Sequence, residues 1–171
     1  MYKYDPQKAW RENLIDAPPQ AAVVDDTSVP QGSAASHPPN ASDRWSWCGL
    51  SLPSPLGIPA GPLLDSKWLL YYAHLGFDWL VYKTVRTRPH PCHALPNLVP
   101  VQRHVLAEAG AVLRAQEKME QSWAVSFGMP SQPPDVWRAD VARARDQLPR
   151  GKRLIVSVVA TQDPTIVDRQ E

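Results

Sequence analysis

Three apolar runs, each ending in small or polar residues, organise this chain. Residues 55–59 lead to Ala60-Gly61-Pro62, residues 79–82 to Lys83-Thr84, and residues 154–159 to Ala160-Thr161. The run 79–85 reads as a strand, whose period of two puts Trp79, Val81 and Lys83 on one face and Leu80, Tyr82 and Thr84 on the other. Lys83 then ends an apolar, inward-facing column. The run 153–160 is apolar at nearly every position, the pattern of a parallel strand covered on both sides. Between the first two runs, Asp65-Ser66 caps a helix carrying Leu69, Tyr72 and Ala73, and Gly76 stops it. Before the third run, Pro134-Asp135 opens a helix on which Trp137, Val141, Ala144 and Leu148 form a stripe. Residues 106–121 give a weaker helical pattern, interrupted by Gly110. Residues 86–101 carry Pro89, Pro91, Pro96 and Pro100 and read as a long loop, and residues 125–131 are too turn-rich for regular structure.

Strand, helix, strand, loop, helix, strand is an α/β order. Parallel strands in that order place all three tips at one edge, where α/β folds bind ligands. Ahead of them, residues 17–43 are rich in Pro, Ser and Ala without hydrophobic periodicity and read as irregular. Order is expected to begin near Trp45, with a short hairpin over 47–60 turning at Pro53-Ser54. The expected division is an irregular segment 1–44 and a domain 45–171.

Composition narrows the partners. Eighteen Lys+Arg against 17 Asp+Glu leave a net charge of +1, no electrostatic footprint for nucleic acid or an anionic membrane. No signal-like or membrane-spanning run occurs, and two cysteines are too few for a disulfide framework, so a cytoplasmic protein is expected. His90, Cys92 and His93 are adjacent in sequence, but prolines flank His90 and no second ligand pair follows, so no metal is expected. Cys92 has no identifiable base beside it.

Several tip residues suit ligand binding, each beside a plainer reading. Ala60 and Gly61 let backbone N–H groups approach a flat or phosphorylated ligand; they also suit an ordinary strand-to-helix turn. An ammonium ending a buried strand needs an anion or polar ligand, so Lys83 points to function unless it snorkels to water. Ser126, Phe127, Gly128 and Met129 can wrap a small planar molecule with backbone amides and apolar contact, or can simply connect two elements.

Together, Gly49-Leu50, the segment 55–62, Leu75-Gly76-Phe77, Lys83-Thr84-Val85, Pro96-Asn97 and the segment 126–131 resemble the N-terminal half of the dihydroorotate dehydrogenase family. The resemblance implies the first three βα units, approximately, of an FMN-dependent (β/α)8 barrel. It implies that Ala60 and Gly61 lie under the flavin ring, that Lys83 stands near the flavin's pyrimidine edge and the substrate, and that Thr84 hydrogen-bonds the cofactor. Ser126, Phe127, Gly128 and Met129 would hold the substrate ring. The implied reaction oxidises dihydroorotate, or a related dihydropyrimidine, to orotate in pyrimidine biosynthesis: a base removes a proton while a hydride passes to FMN. The Ser-Phe-Gly-Met-Pro segment resembles the soluble class, without a membrane extension.

Two departures accompany the resemblance. Family members usually carry Asn immediately before Ser-x-Gly, where this chain has Val125. The family's base, on a loop after the fourth strand, and its phosphate-binding loops after strands seven and eight have no counterpart in 171 residues. The catalytic base is therefore unassigned, and these residues alone are expected to bind FMN weakly or not at all. An alternative reading is a non-catalytic half-barrel or interaction module, completed by a second copy or by a complementary C-terminal fragment.

Overall fold

The computed structural model describes residues 5–16, 45–102, 112, 114–117 and 122–160. In chain order the elements are α1 (Trp10–Ile15), β1 (Trp45–Trp47), β2 (Leu50–Leu52), β3 (Gly57–Ile58), α2 (Ser66–His74), β4 (Trp79–Val85), β5 (Leu98–Val101), β6 (Ser122–Val125), α3 (Pro134–Gln147) and β7 (Arg153–Val158). The three apolar runs do form one parallel sheet, in the order β3-β4-β7. The fold is α/β.

The helices begin where their caps place them. Asp65 accepts from the backbone N–H groups of Lys67 and Trp68 at 2.9 and 3.0 Å, and Gly76 leaves α2 with a left-handed φ of 101°. Pro134 at the first turn starts α3. Both helices lie on the same face of the sheet, where Leu63, Leu69, Leu70, Ala73, Leu80, Tyr82, Val85 and Ala144 form the core. The stripe of Trp137, Val141 and Leu148 packs against it.

A polar pin ties this layer together. The Asp140 carboxylate on α3 accepts from the Ser66 N–H (2.7 Å), the Ser66 hydroxyl (2.6 Å) and the Tyr82 hydroxyl (2.7 Å). Burial and the facing carboxylate push the Tyr82 phenol well above its ordinary range, so it stays a donor.

Several expectations are corrected. The first hairpin pairs β1 with β2 and turns at Cys48-Gly49, not at Pro53-Ser54. Cys48 and Gly49 have φ of 48° and 74°, the left-handed pair that a two-residue hairpin turn demands. Order does not begin at Trp45 either. Helix α1 precedes it, with Trp10 packed against Leu64 and Trp68 and Asn13 bonded to backbone carbonyls of its own segment. Within 86–101, read as loop, residues 98–101 form β5 and pair antiparallel with β6. Much of the helix expected over 106–121 falls outside the described residues; where it is described, Ala115 instead forms an antiparallel bridge with Val101. Strand β7 is only half-buried, and Val158 is 65% exposed, so cover on both sides is not realised. The better-buried column of β4 is Leu80 and Tyr82 rather than Trp79, Val81 and Lys83.

Candidate functional site

Parallel pairing places the ends of β3, β4 and β7 at one edge, and that edge contains an irregularity. Tyr82 pairs with Val156 and Val85 with Val158, so Lys83 and Thr84 together oppose the single residue Ser157. The strict alternation read from sequence therefore breaks at Lys83. An extra residue of this kind re-aims a side chain and commonly lies beside a site. Thr84 Oγ1 and Ser157 Oγ share a hydrogen bond of 2.9 Å across the bulge.

Lys83 is half-buried, and its backbone N–H donates to the Leu63 carbonyl at 3.0 Å. Its Nζ donates to the Thr84 carbonyl at 3.2 Å and meets no carboxylate among the described residues. Burial lowers its pKa to about 8, opposed by nearby Cys92 and helped by Arg86. The Cys92 thiol is pushed upward by burial, against the Asn97 amide that donates to its sulfur at 3.4 Å and against Lys83. Asn97 itself is 3% exposed, and its Oδ1 has no hydrogen-bond partner among the described residues.

The loop 126–131 is fastened to the segment 90–97 beside these groups. His90 and Ser131 exchange both backbone hydrogen bonds, the Ser126 N–H donates to the Asn97 carbonyl at 2.9 Å, and the His93 N–H donates to the Phe127 carbonyl at 3.1 Å. Arg86, one residue past β4, connects everything: its N–H donates to Ser131 Oγ, its Nε to the Met129 carbonyl and an Nη to the Ala160 carbonyl after β7. Gly128 and Met129 both hold left-handed φ, 73° and 49°. A left-handed Met is uncommon, and such backbone persists where its surroundings enforce it. A cleft of about 800 Å³ lies between α1 and this same segment, with Cys92 and Asn97 in its wall.

The structure thus links Lys83 and Thr84 to Ser126, Phe127, Gly128 and Met129 through Arg86, Cys92 and the 90–97 segment. Ala60 is half-buried; Gly61 is exposed after β3, and a Cβ on it would touch nothing within 4 Å. Its backbone is open to a ligand, but among the described residues no hydrogen bond ties it to the other loops. Thr161 lies outside the described residues. Val125 is 60% exposed at the end of β6. Sequence reasoning missed Arg86, Ser157 and the linking role of His93. Of these, His93 alone carries a sequence signal, its place in the Pro-His-Pro-Cys-His run, which suggests metal ligation before loop anchoring. No helix among the described residues is long and apolar enough to cross a membrane.

No protein-family model matches the chain. A dihydroorotate dehydrogenase from Dictyostelium discoideum is 30% identical over 169 residues, an alignment that covers 92% of this chain and 44% of that protein. The chain thus spans less than half the length of this curated relative. The crystal structure of DHODH from Eimeria tenella in complex with ferulenol shares the fold, with a TM-score of 0.53 at 16% identity, over 72% of this chain and 30% of that one. The sequence likeness runs through nearly all of the chain, and the chain is similar to dihydroorotate dehydrogenases in sequence and to DHODH in fold.

Proposed function

We propose that this chain supplies about the first three βα units of a cytoplasmic (β/α)8 barrel that binds FMN and oxidises dihydroorotate, or a related dihydropyrimidine, to orotate in pyrimidine biosynthesis. The observation that carries this reading is Lys83, a half-buried cation at the tip of the central strand, with no carboxylate partner among the described residues. A cation so placed favours a ligand with an anionic or carbonyl-rich edge. The open backbone at Gly61 and the unpartnered Asn97 Oδ1 fit the same kind of polar, planar group.

When bound, FMN would supply the hydride acceptor. The residues of this chain would bind and orient. Ala60 and Gly61 would present backbone to the flavin ring, Thr84 would hydrogen-bond it, and Lys83 would place positive charge at its pyrimidine edge and at the substrate. Ser126, Phe127, Gly128 and Met129 would hold the substrate ring by backbone and apolar contact. None of these residues is assigned the proton-abstracting role.

The test is an NMR titration of the isotopically labelled chain with FMN, which detects the weak binding expected. Amide shifts should concentrate at Gly61, Lys83 and Thr84, and Lys83→Ala should remove them. Shifts elsewhere, or shifts indifferent to Lys83, would overturn the reading.

A second reading, an interaction module completed by another chain, has its own observation. Trp45, Trp47, Leu50, Leu56 and Val158 are all exposed large hydrophobic residues, a surface suited to cover by protein. Light scattering decides it: a strictly monomeric, soluble chain at high concentration would exclude a second copy as that cover.

A further inference from the structure

We propose that His93 is the positioning residue of the 126–129 loop, fixing how that loop presents its backbone to a ligand; this role rests on the reading that the loop holds a planar pyrimidine. Three consecutive loop residues meet His93. Its Nδ1 shares a hydrogen bond of 3.0 Å with Ser126 Oγ, its backbone N–H donates to the Phe127 carbonyl at 3.1 Å, and its ring lies against Gly128. A Cβ on Gly128 would collide with Nε2 and fall 2.6 Å from Cδ2, closer than side chains approach. The ring therefore pulls the loop in at Ser126 and sets its closest approach at Gly128.

This arrangement suits a loop whose backbone is otherwise costly to hold. Gly128 and Met129 occupy the left-handed region in succession, and apart from His93 the segment is held at the Ser126 N–H, at the Met129 carbonyl by Arg86 and at Ser131. Without the His93 contacts at Ser126, Phe127 and Gly128, this stretch would sample more conformations and lose them on binding a ligand. His93 restrains the loop before the ligand arrives. It also explains the residue at 128 twice over: φ is positive there, and the ring occupies the space of any side chain.

The experiment uses the full 171-residue chain, labelled for NMR, with orotate as the probe. Amide hydrogen exchange and orotate titration are compared for wild type, His93→Ala and His93→Asn. Asparagine can reach Ser126 Oγ from nearly the position of Nδ1 but lacks the ring. His93→Ala is expected to speed exchange across 126–129, leave Leu80 and Tyr82 in β4 unchanged, and weaken orotate about fivefold. His93→Asn should recover much of both losses.

Unchanged exchange at 126–129 in His93→Ala would overturn the proposal, as would faster exchange with orotate affinity intact. Wild-type protein that ignores orotate would instead overturn the pyrimidine reading. The exchange comparison would still judge the loop restraint by itself, faster exchange confined to 126–129 supporting it and uniform exchange refuting it.

Discussion

On one face of β4, Leu80 and Tyr82 lie beneath α2 and α3 and are 0% and 3% exposed; on the other, Trp79, Val81 and Lys83 are all half-exposed. The same seven residues therefore build a packed core on one side and an open, polar-tipped surface on the other. The first side is held by caps, an apolar stripe and the Asp140 pin. The second meets the β1–β2 hairpin, where Trp47 touches Trp79, and only at its Lys83 tip the loop that carries Cys92. The difference separates what makes this chain fold from what makes it bind, so variants on the two sides should fail in different ways.

Asp140→Ala should give the largest effect. It leaves the Ser66 N–H and hydroxyl and the Tyr82 hydroxyl without their acceptor between three elements, costing about 3 kcal/mol in urea unfolding. Asn at this position should recover part of the loss. If Asp140→Ala unfolds at the wild-type midpoint, the packed side does not depend on the pin. Gly57→Ala comes next. Its Cβ would lie 2.6 Å from Trp79 Cβ on the adjacent strand, so the β3–β4 pairing must shift at a cost of about 2 kcal/mol. A crystal structure of this variant with unmoved strands would refute that close approach. Trp47→Ala, by contrast, removes an edge-to-face contact with Trp79 at 5.1 Å on the half-exposed side and should cost about 1 kcal/mol. A loss as large as that of Asp140→Ala would mean that the two faces are more alike than their burial indicates.

The packed side was the legible one. Asp65 with Gly76, Pro134 with the 137–148 stripe, and the run 79–85 each carry their signal within a dozen or so residues, and each element formed close to where the pattern placed it. The open side depends on contacts between distant residues. Strand β5 contains Pro100 and pairs with a partner more than twenty residues away, so neither half looks like a strand alone. Helix α1 is only six residues long, and its Trp10 gains burial from Leu64 and Trp68, which lie far along the chain. The bulge at Lys83-Thr84 is likewise invisible to a period of two, because only the register of β7 reveals it. Lys83 and the 126–131 loop are nevertheless legible as candidates, Lys83 as an ammonium ending an apolar strand and the loop as a turn-rich segment able to wrap a planar molecule, and both again through a resemblance that compares whole motifs.

At neutral pH the smallest expected loss is at Lys83, whose pH dependence tests the open side most directly. Lys83 has a folded-state pKa of about 8 against an ordinary 10.5, so between these values the unfolded chain binds more protons than the folded one. Stability attributable to Lys83 should therefore rise as pH rises through that window and should be lowest, and constant, below about pH 8, where the ammonium is charged in both states. Lys83→Met should remove this rise and should be no less stable than wild type at neutral pH, since methionine occupies the stem without the charge. Because Cys92 titrates nearby, the comparison is made in a Cys92→Ser background. A saturating anionic ligand at Nζ reverses the balance. It should raise the lysine pKa, shift the window upward and stabilise the Lys83 protein but not Lys83→Met. A slope that is identical in both proteins, with and without such a ligand, would leave Lys83 an ordinary solvated lysine.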